Sequence, residues 1–259
     1  MNLNDPQQFQ TLDPQNMLAA IDALPHQLQQ AWEQGQEFPL REWKDINQVL
    51  IAGMGGSAIG ADLLAAYVEP LCSVPVVVHR DYDIPLWASG SKTLVITSSH
   101  SGNTEETCSA FEAALEQHCC VLAVTTGGKL AARAQETDAA LWRFQHDGQP
   151  RAAVGLSFGL LLAAFHRLGF LSESPEEELH NAVRAMKAQQ LHLSADIPVW
   201  DNPAKQSAQR CQGKWVTVMG AGFLNSVARR WKGQISEIAK AWGQFEALPE
   251  ADHNTLAGV

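Results

Sequence analysis

Paired cysteines, basic charge and long apolar runs are what this chain is short of. Its five cysteines, Cys72, Cys108, Cys119, Cys120 and Cys211, are odd in number and form no C-x-x-C pair. No disulfide framework is expected, and the thiols read as free, mostly buried groups of a reducing compartment. Lys and Arg total 18 against 28 Asp and Glu, for a formal charge of −10. That balance argues against a nucleic-acid partner, which requires a basic face, and no block of like charge suggests a membrane-surface patch. The longest apolar stretch, Leu156 to Phe170, contains His166 and Arg167 and is too short to span a bilayer. The first ten residues are polar and lack the basic flank and apolar core of a secretory leader. Together these absences lead to the expectation of a soluble, cytoplasmic protein with no nucleic-acid and no membrane partner.

What is present is enough apolar material for a core: 46% of 259 residues, sufficient for one large domain or two small ones. Helical spacing of Met17, Ile21, Leu24 and Leu28 predicts a helix over 14–34 despite Pro25. Alternation follows. Strands are predicted at 48–52, 75–78, 94–97, 119–124 and 141–144, with helices at 57–67, 105–117 and 129–135 between them. Strands alternating with helices indicate an α/β fold whose parallel sheet is covered on both faces. Ligands of such sheets bind at the carboxyl ends of the strands. Two long helices are predicted at 151–168 and 175–193. The run Val218-Met219-Gly220-Ala221-Gly222 then repeats the theme of Ile51-Ala52-Gly53-Met54-Gly55, which suggests a duplicated strand–glycine turn–helix unit. Only 211–259 is left for the second unit, against roughly 100 residues for a self-standing α/β domain. It is therefore expected to hold about two strands, and either to dock on something or to stop short of its natural end.

The segment from Thr93 to Thr107, TLVITSSHSGNTEET, carries the most information. It reads as a buried strand, a hydroxyl-rich turn with one glycine, and a helix start. Free N–H groups and the helix dipole favour an anion there, and Ser and Thr in place of Lys and Arg suggest a neutral cradle for the phosphate of a small molecule. The bland alternative is an ordinary Ser/Thr helix cap. The glycine loop Gly53–Gly60 also matches the dinucleotide fingerprint through Gly53, Gly55 and Ala58, with Asp81 or Asp83 as the acidic partner. A third turn, Thr125-Thr126-Gly127-Gly128, is placed to close over the other end of a ligand.

The runs GMGGSAIG, SHSGNTEET and TTGG, the pair Pro150-Arg151 and the ending SEIAK…LPEADHN resemble the sugar isomerase (SIS) fold, and more narrowly the bifunctional phosphoglucose/phosphomannose isomerase family. The resemblance covers about Val49 to Asn254. It implies a parallel-sheet sandwich of SIS type, with one complete N-terminal unit and a second, incomplete SIS-like unit. The implied organisation is a helix plus a phosphate-binding domain over 1–150, a helical connection over 151–210 and the start of a second SIS domain over 211–259. It further implies that Gly55, Gly56, Ser57, Ser99, Ser101 and Thr104 hold the phosphate of a phosphorylated hexose, with the two glycines giving backbone access. Arg151 would stabilise a developing enediolate, Glu237 would carry the proton between C1 and C2, and His253 would open the sugar ring from the partner subunit of a homodimer. No cofactor and no metal are expected. Two departures stand out: Thr255 follows His253-Asn254 where the family usually has an acidic residue, and the family continues past this point with a segment carrying a lysine near the active site. The alternatives at this stage are a sugar-phosphate-binding module without turnover and an NAD(P)-dependent oxidoreductase built on Gly53–Ala58.

Overall fold

The computed structural model describes residues 2–258. Three helices open the chain: α1 (Pro6–Leu12), α2 (Met17–Asp22) and α3 (Leu24–Glu37). The single helix predicted over 14–34 is thus two. Pro25 occupies the first turn of α3, where its missing N–H is harmless. In the middle of a continuous helix it would have removed a hydrogen bond, so the chain breaks at Ala23.

Next come β1 (Gln48–Gly53), α4 (Gly55–Val68), β2 (Val76–His79), β3 (Thr93–Ser99), α5 (Glu105–Glu116), β4 (Cys120–Thr125), α6 (Gly128–Gln135) and β5 (Ala140–Arg143). The five strands form one sheet in the order β2-β1-β3-β4-β5, parallel throughout. Alternate side chains of each strand enter opposite cores. Ile51, Ile96, Leu122 and Val124 pack with residues of α3, α4 and the later helix Val154–Arg167, whereas Leu50, Val95, Val121 and Ala123 pack with Phe111 and Leu130 of α5 and α6. β3 is buried at every position, which is why it reads as a continuous run with no polar alternation. The order reverses between β1 and β3, and the crevice at such a reversal is where ligands bind. The register aligns Gly53 with Ser98 and Ser99 with Thr125, so the glycine turn and the hydroxyl turn leave the sheet side by side.

A 3-10 turn at Pro150–Ala152 precedes α7 (Val154–Arg167), α8 (Glu176–Leu193) and α9 (Pro203–Cys211). α7 is apolar nearly all round because it lies between the sheet and α3. The second unit is β6 (Val216–Ala221), α10 (Leu224–Glu237), β7 (Gly243–Leu248) and the short α11 (Glu250–His253), ending in a 3-10 turn at Thr255–Gly258. β6 and β7 pair in parallel and form a two-stranded sheet of their own. The repeat suggested by the sequence has a backbone counterpart: Gly55 and Gly222 follow their strands with φ of 50° and 54°. α10 joins the two units, since Ser226 donates to the Asp62 carbonyl on α4 at 3.1 Å. The Asp62 carboxylate accepts from Arg80 and lies 3.7 Å from Arg229 of α10. All five cysteines are free, but Cys211 is exposed and the other four are only half-buried, against the mostly buried thiols expected. Among the described residues no helix is long and apolar enough to cross a membrane.

Candidate functional site

The hydroxyl turn folds on itself. Ser99 Oγ accepts the N–H of Gly102 at 3.1 Å and shares a 2.9 Å hydrogen bond with Thr104 Oγ1. Ser101 Oγ accepts the N–H of Asn103 at 3.2 Å. Gly102 makes the turn possible, because its φ is +66° and a Cβ there would lie 1.8 Å from the Gly127 carbonyl oxygen. From α4, Ser57 Oγ reaches across the crevice and accepts the His100 N–H at 3.2 Å, which ties the two turns together. A hydroxyl that accepts a backbone N–H keeps its own proton to donate. Ser57 and Ser101 therefore each have a donor to spare, and the Ser99–Thr104 pair has one between them. Neither α4 nor α5 has a side-chain cap, so both helix N-termini keep open N–H groups beside these hydroxyls. Gly55 and Gly56 form the first turn of α4.

The Thr125–Gly128 turn is a buttress of this loop, not the ligand cover expected. Thr126 donates to the His100 carbonyl through Oγ1 at 2.7 Å and through its N–H at 3.1 Å, and Lys129 N–H donates to Asn103 Oδ1 at 3.1 Å. Asp83, an acidic partner required by a dinucleotide reading, accepts from Ser109 of α5 at 2.8 Å.

Arg151 and Glu237, 86 positions apart in sequence, meet at 2.8 Å as an ion pair with side-chain exposures of 23% and 43%. Half-exposure leaves the pair reachable by a ligand. The 3-10 turn that carries Arg151 abuts the glycine turn: a Cβ on Gly56 would lie 2.6 Å from the Pro150 carbonyl oxygen. The backbone that carries Arg151 is therefore adjacent to the glycine turn. Cavities of about 530 and 360 Å³ open on either side of Arg151, with walls formed largely by apolar side chains of α1, α2 and α10. Lys240 donates to the Glu237 carbonyl, at 2.6 Å, and not to its carboxylate. His253 is exposed on α11, and no hydrogen bond or ion pair among the described residues joins it to Arg151, Glu237 or the hydroxyls. Within one chain the structure ties the hydroxyls of the two turns to one another and pairs Arg151 with Glu237, and His253 joins neither group.

Three neighbours were not foreseen. His146 Nδ1 lies 2.8 Å from His100 Nε2. Burial, then the charge of His146, lowers the pKa of His100, and burial also lowers that of His146 against the opposing Asp147. Ser157 of α7 donates to the Ser57 carbonyl at 3.3 Å. Arg230 of α10 donates to the Arg151 carbonyl at 2.6 Å. None of the three lies near its partner in sequence, and no local pattern marks them. Among the described residues no group of three His, Cys, Asp or Glu side chains is placed to hold a metal.

Comparison with known proteins gives a consistent picture. A family profile described as the bacterial phospho-glucose isomerase C-terminal SIS domain matches residues 200–259. A bifunctional phosphoglucose/phosphomannose isomerase of Caldicellulosiruptor bescii is 38% identical over 245 residues, which cover 94% of this chain and 72% of that protein. One from Aquifex aeolicus is 32% identical, covering 84% of this chain and 66% of that protein. Among solved structures, tagatose-6-phosphate ketose/aldose isomerase of Escherichia coli superposes with a TM-score of 0.68 at 16% identity, over 94% of this chain and 70% of that one. At that identity the likeness concerns the fold.

Proposed function

Since the chain belongs to the bifunctional phosphoglucose/phosphomannose isomerase family, we propose that it interconverts fructose 6-phosphate with glucose 6-phosphate and mannose 6-phosphate through a cis-enediolate, using the adjoining cradle and ion pair. The phosphate sits among the Ser57, Ser99, Ser101 and Thr104 hydroxyls and the open N–H groups at Gly55 and Gly56. An anion at two converging helix N-termini is favoured without any fixed cation. That anchor sets the carbon chain toward Arg151. Glu237 removes the proton from C2 of the aldose and returns it to C1, while the hydroxyl proton moves between O2 and O1. One carboxylate serves both transfers, and such acid–base help is worth about 10²–10⁴-fold. The Arg151 guanidinium faces the oxygens on which negative charge develops. His253, exposed and apart from the pair in its own chain, acts on the ring oxygen of a sugar held by the other subunit of a homodimer, where an imidazole can give and take the proton that ring opening moves.

In this reading residues 1–150 bind the phosphate, 151–210 connect, and 211–259 begin a second SIS domain that carries the base. The working compartment is the cytoplasm. The single observation that carries the proposal is the 2.8 Å Arg151–Glu237 pair placed against the glycine turn. A coupled assay on this 259-residue chain with fructose 6-phosphate tests it. Turnover is expected in the wild type and at least a ~100-fold loss in Glu237→Gln; undiminished turnover in the variant removes Glu237 as the base.

A further inference from the structure

The ion pair poses a problem of charge supply. In the unliganded protein Arg151 neutralises Glu237 at 2.8 Å. To stabilise an enediolate the same guanidinium must turn toward the sugar oxygens, which leaves the carboxylate with less support at the moment it has to be ionised. Other cations near the pair are committed elsewhere. Lys240 bonds the Glu237 carbonyl, and Lys205, across the larger cavity, bonds the Ala195 and Ile197 carbonyls at 2.6 and 2.7 Å. Asp13, the other acid on that cavity, accepts the Leu18 N–H at 3.0 Å.

Arg230 is different. It lies on α10 two turns before Glu237 and so on the same face of the helix. It lines the smaller cavity together with Arg151, and its Nη2 donates to the Arg151 carbonyl at 2.6 Å. We propose that Arg230 is a positioning residue for the isomerisation: it clamps the backbone of Arg151 so that only the side chain swings, and it keeps a permanent positive charge beside Glu237 when Arg151 turns to the substrate. The inference rests on the isomerase reading above. Burial pulls the Arg230 guanidinium below its ordinary value, and the negative charge of Glu237 opposes that pull.

The test compares Arg230→Gln and Arg230→Lys in the full chain, reading kcat and KM for fructose 6-phosphate against pH. In Arg230→Gln the expected result is a kcat lowered about tenfold with KM within about twofold of wild type, and an acid limb of the kcat profile, which reports the substrate-bound enzyme, moved to higher pH. A role in folding alone would not move that limb. Arg230→Lys should return the limb to its wild-type position and recover most of kcat. A Gln variant whose limb coincides with wild type, or a Lys variant shifted as far as Gln, overturns the proposal. If the Gln variant does not fold, Arg230→Lys decides alone: an unshifted limb with kcat lowered less than about threefold supports the role, and a shifted limb refutes it. Failure of the underlying reading is separate, because it appears as absent turnover in the wild type or as full turnover in Glu237→Gln.

Discussion

Ser57, Ser99 and Ser101 hold the turn in shape by each accepting a backbone N–H, and Thr104 joins them through the one proton it shares with Ser99. That division of labour lets one small side chain build the loop and still keep a proton to donate. The His100–His146 contact lies directly behind it, since the His100 N–H is the group that Ser57 accepts. Both imidazoles have lowered pKa values, first through burial. The unfolded chain therefore takes up protons at a higher pH, near the ordinary value of about 6.5, than the folded one does. Stability rises with pH where the unfolded state binds more protons, so it is fully present above that value and falls as the pH drops below it. We expect the melting temperature to decline from pH 7 to pH 5, and His146→Asn to decline less steeply; identical slopes would show that the pair does not titrate as described. At this scale the hydroxyls stand out in the sequence because they crowd one strand-to-helix turn, whereas Arg151 and Glu237 are singled out only through the family resemblance of the runs that hold them. His146, Ser157 and Arg230 are not singled out at all, because their significance lies in contacts across 46, 100 and 79 positions.

At the scale of elements the alternating strands and helices of the first unit could be read directly, because each buried strand is bounded by turn residues and each helix carries a usable apolar face. The reading failed at breaks governed by single backbone requirements. Pro25 starts a helix where a periodic pattern runs through it, and the 3-10 turn at Pro150–Ala152 precedes α7 where one continuous helix was predicted. That second break matters, since it presents Arg151 to α10. Another feature without a sequence signal is the seam between α4 and α10. The Asp62 carboxylate, 14% exposed, takes charge-assisted contacts from Arg80 and Arg229. Asp62→Asn leaves two guanidiniums without their anion, and a loss of about 2 kcal/mol is expected in urea unfolding. A change within experimental error would place the α4–α10 attachment in apolar packing alone.

Across the whole molecule, two unequal units carry the residues of the proposed site. The five-stranded sheet supplies a floor, with β3 buried from end to end, and the two-stranded unit supplies Glu237 from α10, beside strands that are half-buried or exposed apart from Gly220 and Gly243. The sequence already implied this inequality, since about two strands were all that 211–259 had room for. What it could not reveal was that the smaller unit packs on the larger through α10, because that depends on Asp62, Ser226, Arg229 and Arg230 meeting in space. The central claim is that a sugar phosphate bridges the two units, phosphate in the cradle and reacting carbons at the ion pair. A crystal structure of this chain with fructose 6-phosphate bound tests it most directly. The account predicts phosphate oxygens within hydrogen-bond distance of Ser57, Ser99, Ser101 and Thr104, with C1 and C2 between Arg151 and Glu237. A ligand seated in the apolar cavity beside α1 and α2, with the hydroxyls still engaged only with their own backbone, would contradict it.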